Sequence, residues 1–202
     1  LVWKQTIGTH NAPAFAGEIV HYNPDSENPY YNGILVVVHQ HNYVNGFCSG
    51  CDAYEPAELV DGVYQISNAG QLYWFAALVN GGETDVDAIL MENITVNENV
   101  LVDGVLNTDS ALVKTFRVWT PIGGNGTSAS KPGIKYAGTF DGDGYTVRNL
   151  PEATQSLFNV IDSAGVLKNL NLSGAVLTNM DAVCVAGLVY NNLGVISNVT
   201  VT

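Results

Sequence analysis

Over its last third the chain alternates apolar and polar residues in short runs, each bounded by Gly or Asn. GYTVRNL (144–150), GVLKNLNLSG (165–174) and GVISNVTVT (194–202) share a Gly, an alternating apolar pair, and an Asn followed by an aliphatic residue. Side chains on a strand repeat every second residue, so the alternation predicts short strands. The shared Asn falls at Asn149, Asn169 and Asn198, a spacing that fits structural repeats joined by loops of variable length. Strands this short, with no helices between them, cannot make a βαβ sheet. They can form a parallel β-helix, each coil laid over the one before, with Val147, Leu150, Leu167, Leu170, Leu172, Ile196, Val199 and Val201 turned inward. Burying one such side chain stabilises by roughly 1.5–3 kcal/mol, so a coil holds its backbone only when neighbours cover it. The recurrent Asn has two readings: amides stacked as a ladder in one bend, or three residues that suit bends independently. A final coil ending at Thr202 would expose unpaired N–H and C=O groups, which implies more coils or a cap beyond it. Leu at position 1 implies a piece of a longer chain.

Further upstream the period changes. In GVYQISNAGQLYWFAALVNGG, Leu72, Phe75, Ala76 and Val79 recur at helical spacing, which predicts one helix with an apolar face. Asn68 with Gln71 three residues on forms the N-terminal cap, and Gly81-Gly82 ends the helix by permitting a left-handed residue. Residues 1–56 differ again: they hold all four His, the pair Cys48 and Cys51, and the Pro- and Tyr-rich stretch HYNPDSENPYYNG. There GEIVHY and GILVVVH read as strands between turn signals. The chain thus divides into a small β-rich N-terminal subdomain (1–56) and a repeat region (57–202).

The segments VAGLVYNNLGVISNVTV, SLFNVIDSAGVLKNLNLSG and YAGTFDGDGYTVRNL resemble the GLUG-type repeats of bacterial surface proteins. The stretch from GVYQISNAGQLYWFAALVN to WTPIG is similar to the region that precedes such repeats, so the resemblance covers about residues 60–202. It implies an all-β fold, a right-handed parallel β-helix of the pectate-lyase type, with the helix near 68–80 covering its N-terminal end. Asn159 departs from the repeat pattern, which prefers a small or aliphatic residue there. The resemblance carries little about function, because these repeats occur in adhesins, cell-wall proteins and non-catalytic parts of surface peptidases.

Seven Lys and Arg against nineteen Asp and Glu give a net charge of −12. With no basic cluster to release counterions from phosphates, nucleic acid is not an expected partner. The longest apolar runs fall far short of the roughly 20 residues of a membrane span, so no membrane insertion is expected in this segment. An acidic chain rich in Asn, Thr, Gly and Tyr suits a secreted or cell-surface protein.

One constellation could carry chemistry. HQHNYVNGFCSGC places His39, His41, Cys48 and Cys51 at H-x-H-x6-C-x2-C, two imidazoles and two thiolates, which is a complete tetrahedral zinc set. The segment also resembles short His/Cys units placed before such repeats in surface proteins of gut bacteria. Structural zinc, a Cys48–Cys51 disulfide and free thiols all remain open, and four protein ligands would leave no position for catalysis. His10 and His21 read as surface residues, and Cys184 as a small buried hydrophobe. Asp141 and Asp143 could serve glycoside hydrolysis or calcium, but DGDG is a tight-turn sequence and the turn reading is stronger. Asp25 and Glu27 lack the spacing of a calcium loop. No Ser-His-Asp set or HExxH is present.

The expected function is therefore non-enzymatic: an extracellular structural or adhesion module that meets a host glycan or protein. The alternatives are a polysaccharide-active fragment and a subunit of an extracellular fibre, in which neighbouring copies are the partners.

Overall fold

The computed structural model describes residues 2–6, 18–22, 32–38, 41–124, 133–150, 156–174 and 186–202, the first three stretches by their backbone alone. The chain divides into two compact units, Leu1–Val44 with Cys48–Ala53, and Asn45–Phe47 with Tyr54–Thr202. In the first, β1 (Val2–Thr6), β2 (Glu18–Tyr22) and β3 (Asn32–Val38) form an antiparallel sheet in the order β1-β3-β2, pairing Val36 with Val2 on one side and Val20 on the other. GEIVHY and GILVVVH are the second and third of these strands. β4 (Tyr43–Val44) and β5 (Phe47–Cys48) close a small hairpin through Asn45 and Gly46, both at positive φ. Asn-Gly is the residue pair that a type I′ turn favours.

The second unit opens with a hairpin, β6 (Glu58–Val60) and β7 (Val63–Ile66), followed by helix α1 (Ala69–Asn80). Then come β8 (Asp87–Leu90), β9 (Ile94–Thr95), a second hairpin of β10 (Leu101–Val102) and β11 (Val105–Leu106), and the single-turn α2 (Ser110–Val113). The repeat region supplies β12 (Thr139–Asp141), β13 (Thr146–Arg148), β14 (Phe158–Ile161), β15 (Val166–Lys168), β16 (Asn171–Ser173), β17 (Val189–Asn192), β18 (Val195–Ser197) and β19 (Thr200–Val201).

These strands correct the expected architecture. The described residues form six separate small sheets, antiparallel, parallel and mixed, with two helices and no closed solenoid, so a single right-handed parallel β-helix is not the fold. The largest sheet, β18-β15-β12-β8-β7-β6, is parallel up to β7 and then antiparallel at β6. A second sheet, β19-β16-β13-β9, is parallel throughout, and β14 pairs with β17 on one side and makes parallel bridges to Ile122 and Tyr136. The physical cause lies in the turns. Asp61-Gly62 and Asp103-Gly104 all take positive φ, and two-residue turns of this kind reverse the chain where a continuous coil would have to advance it. Asp109 then starts α2 by accepting from the Ala111 N–H at 2.9 Å.

Within the two parallel ladders, chemically similar residues meet. Phe140 pairs with Ala88 and Leu167, and Leu167 with Ile196; Val147 pairs with Ile94 and Leu172, and Leu172 with Val201. Leu167 and Leu172 are fully buried, while Ile196 and Val201, on the edge strands, are 37% and 53% exposed. The Gly opening three of these strands also aligns. A Cβ on Gly138 would lie 2.2 Å from the Val86 carbonyl oxygen, one on Gly165 2.5 Å from that of Tyr136, and one on Gly194 2.2 Å from that of Gly165. The Gly equivalent to Gly165 and Gly194 is therefore Gly138, not the Gly144 that opens GYTVRNL.

That shift also splits the Asn series. Asn169 and Asn198 follow β15 and β18, which pair, whereas Asn149 follows β13 in the other ladder. Asn198 Nδ2 donates to Asn169 Oδ1 at 2.8 Å, and Asn169 Nδ2 donates to Asp141 Oδ1 at 3.0 Å. All three Asn sit at φ between 52° and 58°, a left-handed region that Asn tolerates better than other side-chain-bearing residues.

Helix α1 forms as its sequence predicts. Asn68 Oδ1 accepts from the Gln71 N–H, Gln71 Oε1 accepts from that of Ser67, and Leu72, Phe75, Ala76 and Val79 are buried. Gly81 itself stays right-handed at φ −80°, and Gly82 takes the positive φ. The apolar face of α1 meets an aromatic core in which Phe75 lies 6.0 Å from Tyr136 and 5.9 Å from Phe140. Trp119, Ile122, Leu157, Phe158 and Ile161 complete it. Burial holds the Tyr136 phenol protonated far above its ordinary range, with the nearby Asp87 charge adding to the effect.

Candidate metal site

Residues 41–53 make a compact loop around the β4–β5 hairpin. The Ser49 N–H donates to the Asn42 carbonyl at 2.9 Å and the Cys48 N–H to the Ala53 carbonyl at 3.0 Å. These bonds bring the start of the loop against the C-x2-C turn. His41, Cys48 and Cys51 then converge, with one ring nitrogen of His41 and the two Sγ atoms all within 4.8 Å of one another. His41 Nδ1 lies 3.4 Å from Cys51 Sγ. The His41 ring stacks on Tyr43 at 5.4 Å with the planes 18° apart, which fixes its orientation. Cys48 is buried and receives the Gly50 N–H on its sulfur at 3.4 Å, while Cys51 and His41 are exposed.

The electrostatics fit a cation. The Cys51 thiol sits above its ordinary pKa: a backbone hydrogen bond from Ala53 lowers it, but desolvation, the hydrogen bond with Cys48 and the charges of Cys48 and Asp52 together push it up. Two sulfurs crowded beside a carboxylate resist ionising together. A divalent ion reverses that balance, because it binds thiolates and displaces their protons.

Of the four ligands nominated by the sequence, the structure brings together three. His39 lies outside the described residues, as do His10, Asp25, Glu27 and Cys184. Cys48 and Cys51 are both free here and do not stand at disulfide distance. Asp141 and Asp143 are turn residues: the Asp143 N–H donates to Asp141 Oδ1 at 2.9 Å, and Lys168 Nζ lies 3.0 Å from Asp141 Oδ2. With Asp141 so engaged, these two residues form a turn rather than an acid–base pair. The sequence reading missed Asn45. Its carbonyl and side-chain Oδ1 accept from the Gly70 and Ala69 N–H groups, at 2.9 and 3.3 Å, and so cap α1 from a remote turn. The Asn-Gly pair was the available signal for the turn, but nothing in the sequence pointed it at α1.

Compared with known proteins, the chain matches no family model, no curated protein and no solved structure. Among the described residues, no helix is long and apolar enough to cross a membrane.

Proposed function

We propose that this chain is a non-enzymatic structural module of a secreted or surface protein, with residues 41–53 held by a structural zinc ion on His41, Cys48 and Cys51. The observation that carries the metal is the convergence of one imidazole nitrogen and two sulfurs within 4.8 Å. Bond lengths near 2.3 Å to sulfur and 2.0–2.1 Å to nitrogen in a tetrahedron put neighbouring ligand atoms roughly 3.5–3.8 Å apart. The 3.4 Å between His41 Nδ1 and Cys51 Sγ is close to that spacing. Soft sulfur with imidazole selects zinc over calcium or magnesium, which require oxygen. The Gly50 N–H on Cys48 Sγ supports the outer-shell hydrogen bonding that orients ligands. Closed structural sites take four ligands, and the H-x-H spacing nominates His39 as the fourth.

The structural role draws on the same loop, since a site of this kind ties the chain at both sides of the hairpin. The acidic, lightly charged composition supports the extracellular setting. Metal analysis of freshly reduced protein is the test. One equivalent of zinc is expected, falling to near zero in Cys51→Ser, with His39→Ala weakening binding by more than about tenfold. Zinc-free protein after reconstitution under reducing conditions would refute the metal.

A further inference from the structure

A cavity of about 360 Å³ opens in the second unit beside the C-terminal end of α1, lined by Tyr54, Tyr73, Ala76, Ala77, Asn80, Gly81 and Thr120. We infer that this cavity binds an uncharged pyranose ring, with one apolar sugar face on Tyr54 and the hydroxyls toward the rim. The inference is independent of the metal.

Four features define the ligand. The volume lies at the small end of the range for ligand pockets, which suits a single ring rather than an extended chain. Among the described residues, no Lys, Arg, His, Asp or Glu lines the cavity, so none of these would offset the desolvation of an ionic ligand. The Tyr73 hydroxyl is committed to the Arg117 carbonyl at 2.9 Å, and burial keeps it protonated far above the ordinary tyrosine range. It contributes a neutral wall.

The aromatic wall is also held in place. Tyr54 packs edge-on to Phe47 at 5.9 Å and tilted against Tyr73 at 5.5 Å, and Tyr73 packs edge-on to Trp119 at 5.0 Å. A platform fixed on several sides loses little freedom when a ligand arrives. The far wall is fixed by Asn80: its Oδ1 accepts from the Gly123 and Gly124 N–H groups at 3.1 and 2.7 Å, and its Nδ2 donates to the Pro121 carbonyl at 3.0 Å. The side-chain amide of Asn80 is thereby part of the wall and not a ligand contact.

What remains for a ligand is sparse and polar. Among the described residues, the hydroxyls of Tyr54 and Thr120 have no hydrogen-bond partner. Gly81, Gly82 and Glu83 answer the carbonyls of Ala77, Leu78 and Val79, leaving that of Asn80 as an acceptor. Two hydroxyls and a carbonyl beside an aromatic face match a molecule with hydroxyl donors around an apolar ring plane. A plain aromatic ligand would leave those acceptors unmet.

The test uses the full chain and ligand-observed NMR with methyl β-glucopyranoside, methyl β-galactopyranoside, phenol and glucuronate. At least one methyl pyranoside is expected to bind with a Kd on the order of 1 mM. Ala77→Leu fills the cavity from an exposed helical position, and should weaken binding by about tenfold or more with an unchanged melting temperature. Tyr54→Phe should weaken it severalfold. The inference is overturned if neither pyranoside binds folded protein, if phenol or glucuronate binds as well as the better pyranoside, or if Ala77→Leu binds unchanged.

Discussion

Asn169 shows how much one residue decides here. It turns the chain at φ 54° and at the same time donates to Asp141 Oδ1 and accepts from Asn198. Those two roles can be separated by substitution. Asn169→Gly keeps the backbone at ease and loses only the amide, whereas Asn169→Ala loses the amide and strains the turn. The Ala variant should be less stable than the Gly variant by about 1 kcal/mol, measured as a difference in urea midpoints. Asp141 makes a second prediction. Desolvation would raise its pKa, but the Asp143 N–H, the Asn169 amide and the Lys168 ammonium outweigh that and hold the carboxyl below its ordinary range. A carboxylate with a depressed folded-state pKa contributes stability above its unfolded value and loses it as the pH falls through the folded value. Asp141→Asn should therefore cost up to about 1 kcal/mol at neutral pH, and the gap to the parent should close in acid. A gap that persisted at low pH would show that the charge is not the cause. The bend role of Asn was legible in the sequence because the residue type has few other reasons to recur. Which Asn meets which was not, since that depends on strand register.

Among the elements, the span and buried face of α1 were legible and the hairpins were not. An apolar stripe and a cap are both local signals, and α1 has both. A hairpin and a continuing parallel strand carry the same alternation, and an Asp-Gly pair does not tell them apart: Asp61-Gly62 and Asp103-Gly104 close hairpins, while Asp143-Gly144, also at positive φ, leads from β12 to β13 in a different sheet. The structure adds one constraint on α1 that local propensity would get wrong. Gly70 lies in its first turn, where Ala is the better helix former by about 1 kcal/mol. A Cβ there would stand 1.8 Å from the Gly46 carbonyl oxygen. Gly70→Ala should accordingly destabilise the protein, by about 1–3 kcal/mol as overpacking does, with thermal melting as the readout. A stabilised variant would mean that the Asn45–Gly46 turn is free to move away from the helix.

At the scale of the second unit, the inner strands of the paired ladders are buried and the edge strands β18 and β19 are exposed. Leu167 and Ile196 hold equivalent places in adjacent strands, yet the first is fully buried and the second is 37% exposed. Leu167→Ala should cost about 2–5 kcal/mol and Ile196→Ala well under half of that in the same denaturation assay. The sequence placed both inside, because the pattern reports which face a residue takes and not whether another strand covers it. The convergence of His41, Cys48 and Cys51 was legible for a related reason: they lie close in sequence, so spacing alone could bring them together, whereas the cavity joins Tyr54, α1 and Thr120 from distant stretches. The amide series that ends at Asp141 has one more consequence. Asn198 gives its proton to Asn169, and Asn169 gives its own to the carboxylate, so every dipole in the row points the same way and each polarises the next. Neutralising the carboxylate should then be felt at the far end, and the side-chain nitrogen resonance of Asn198 should follow the acid titration of a residue it does not touch.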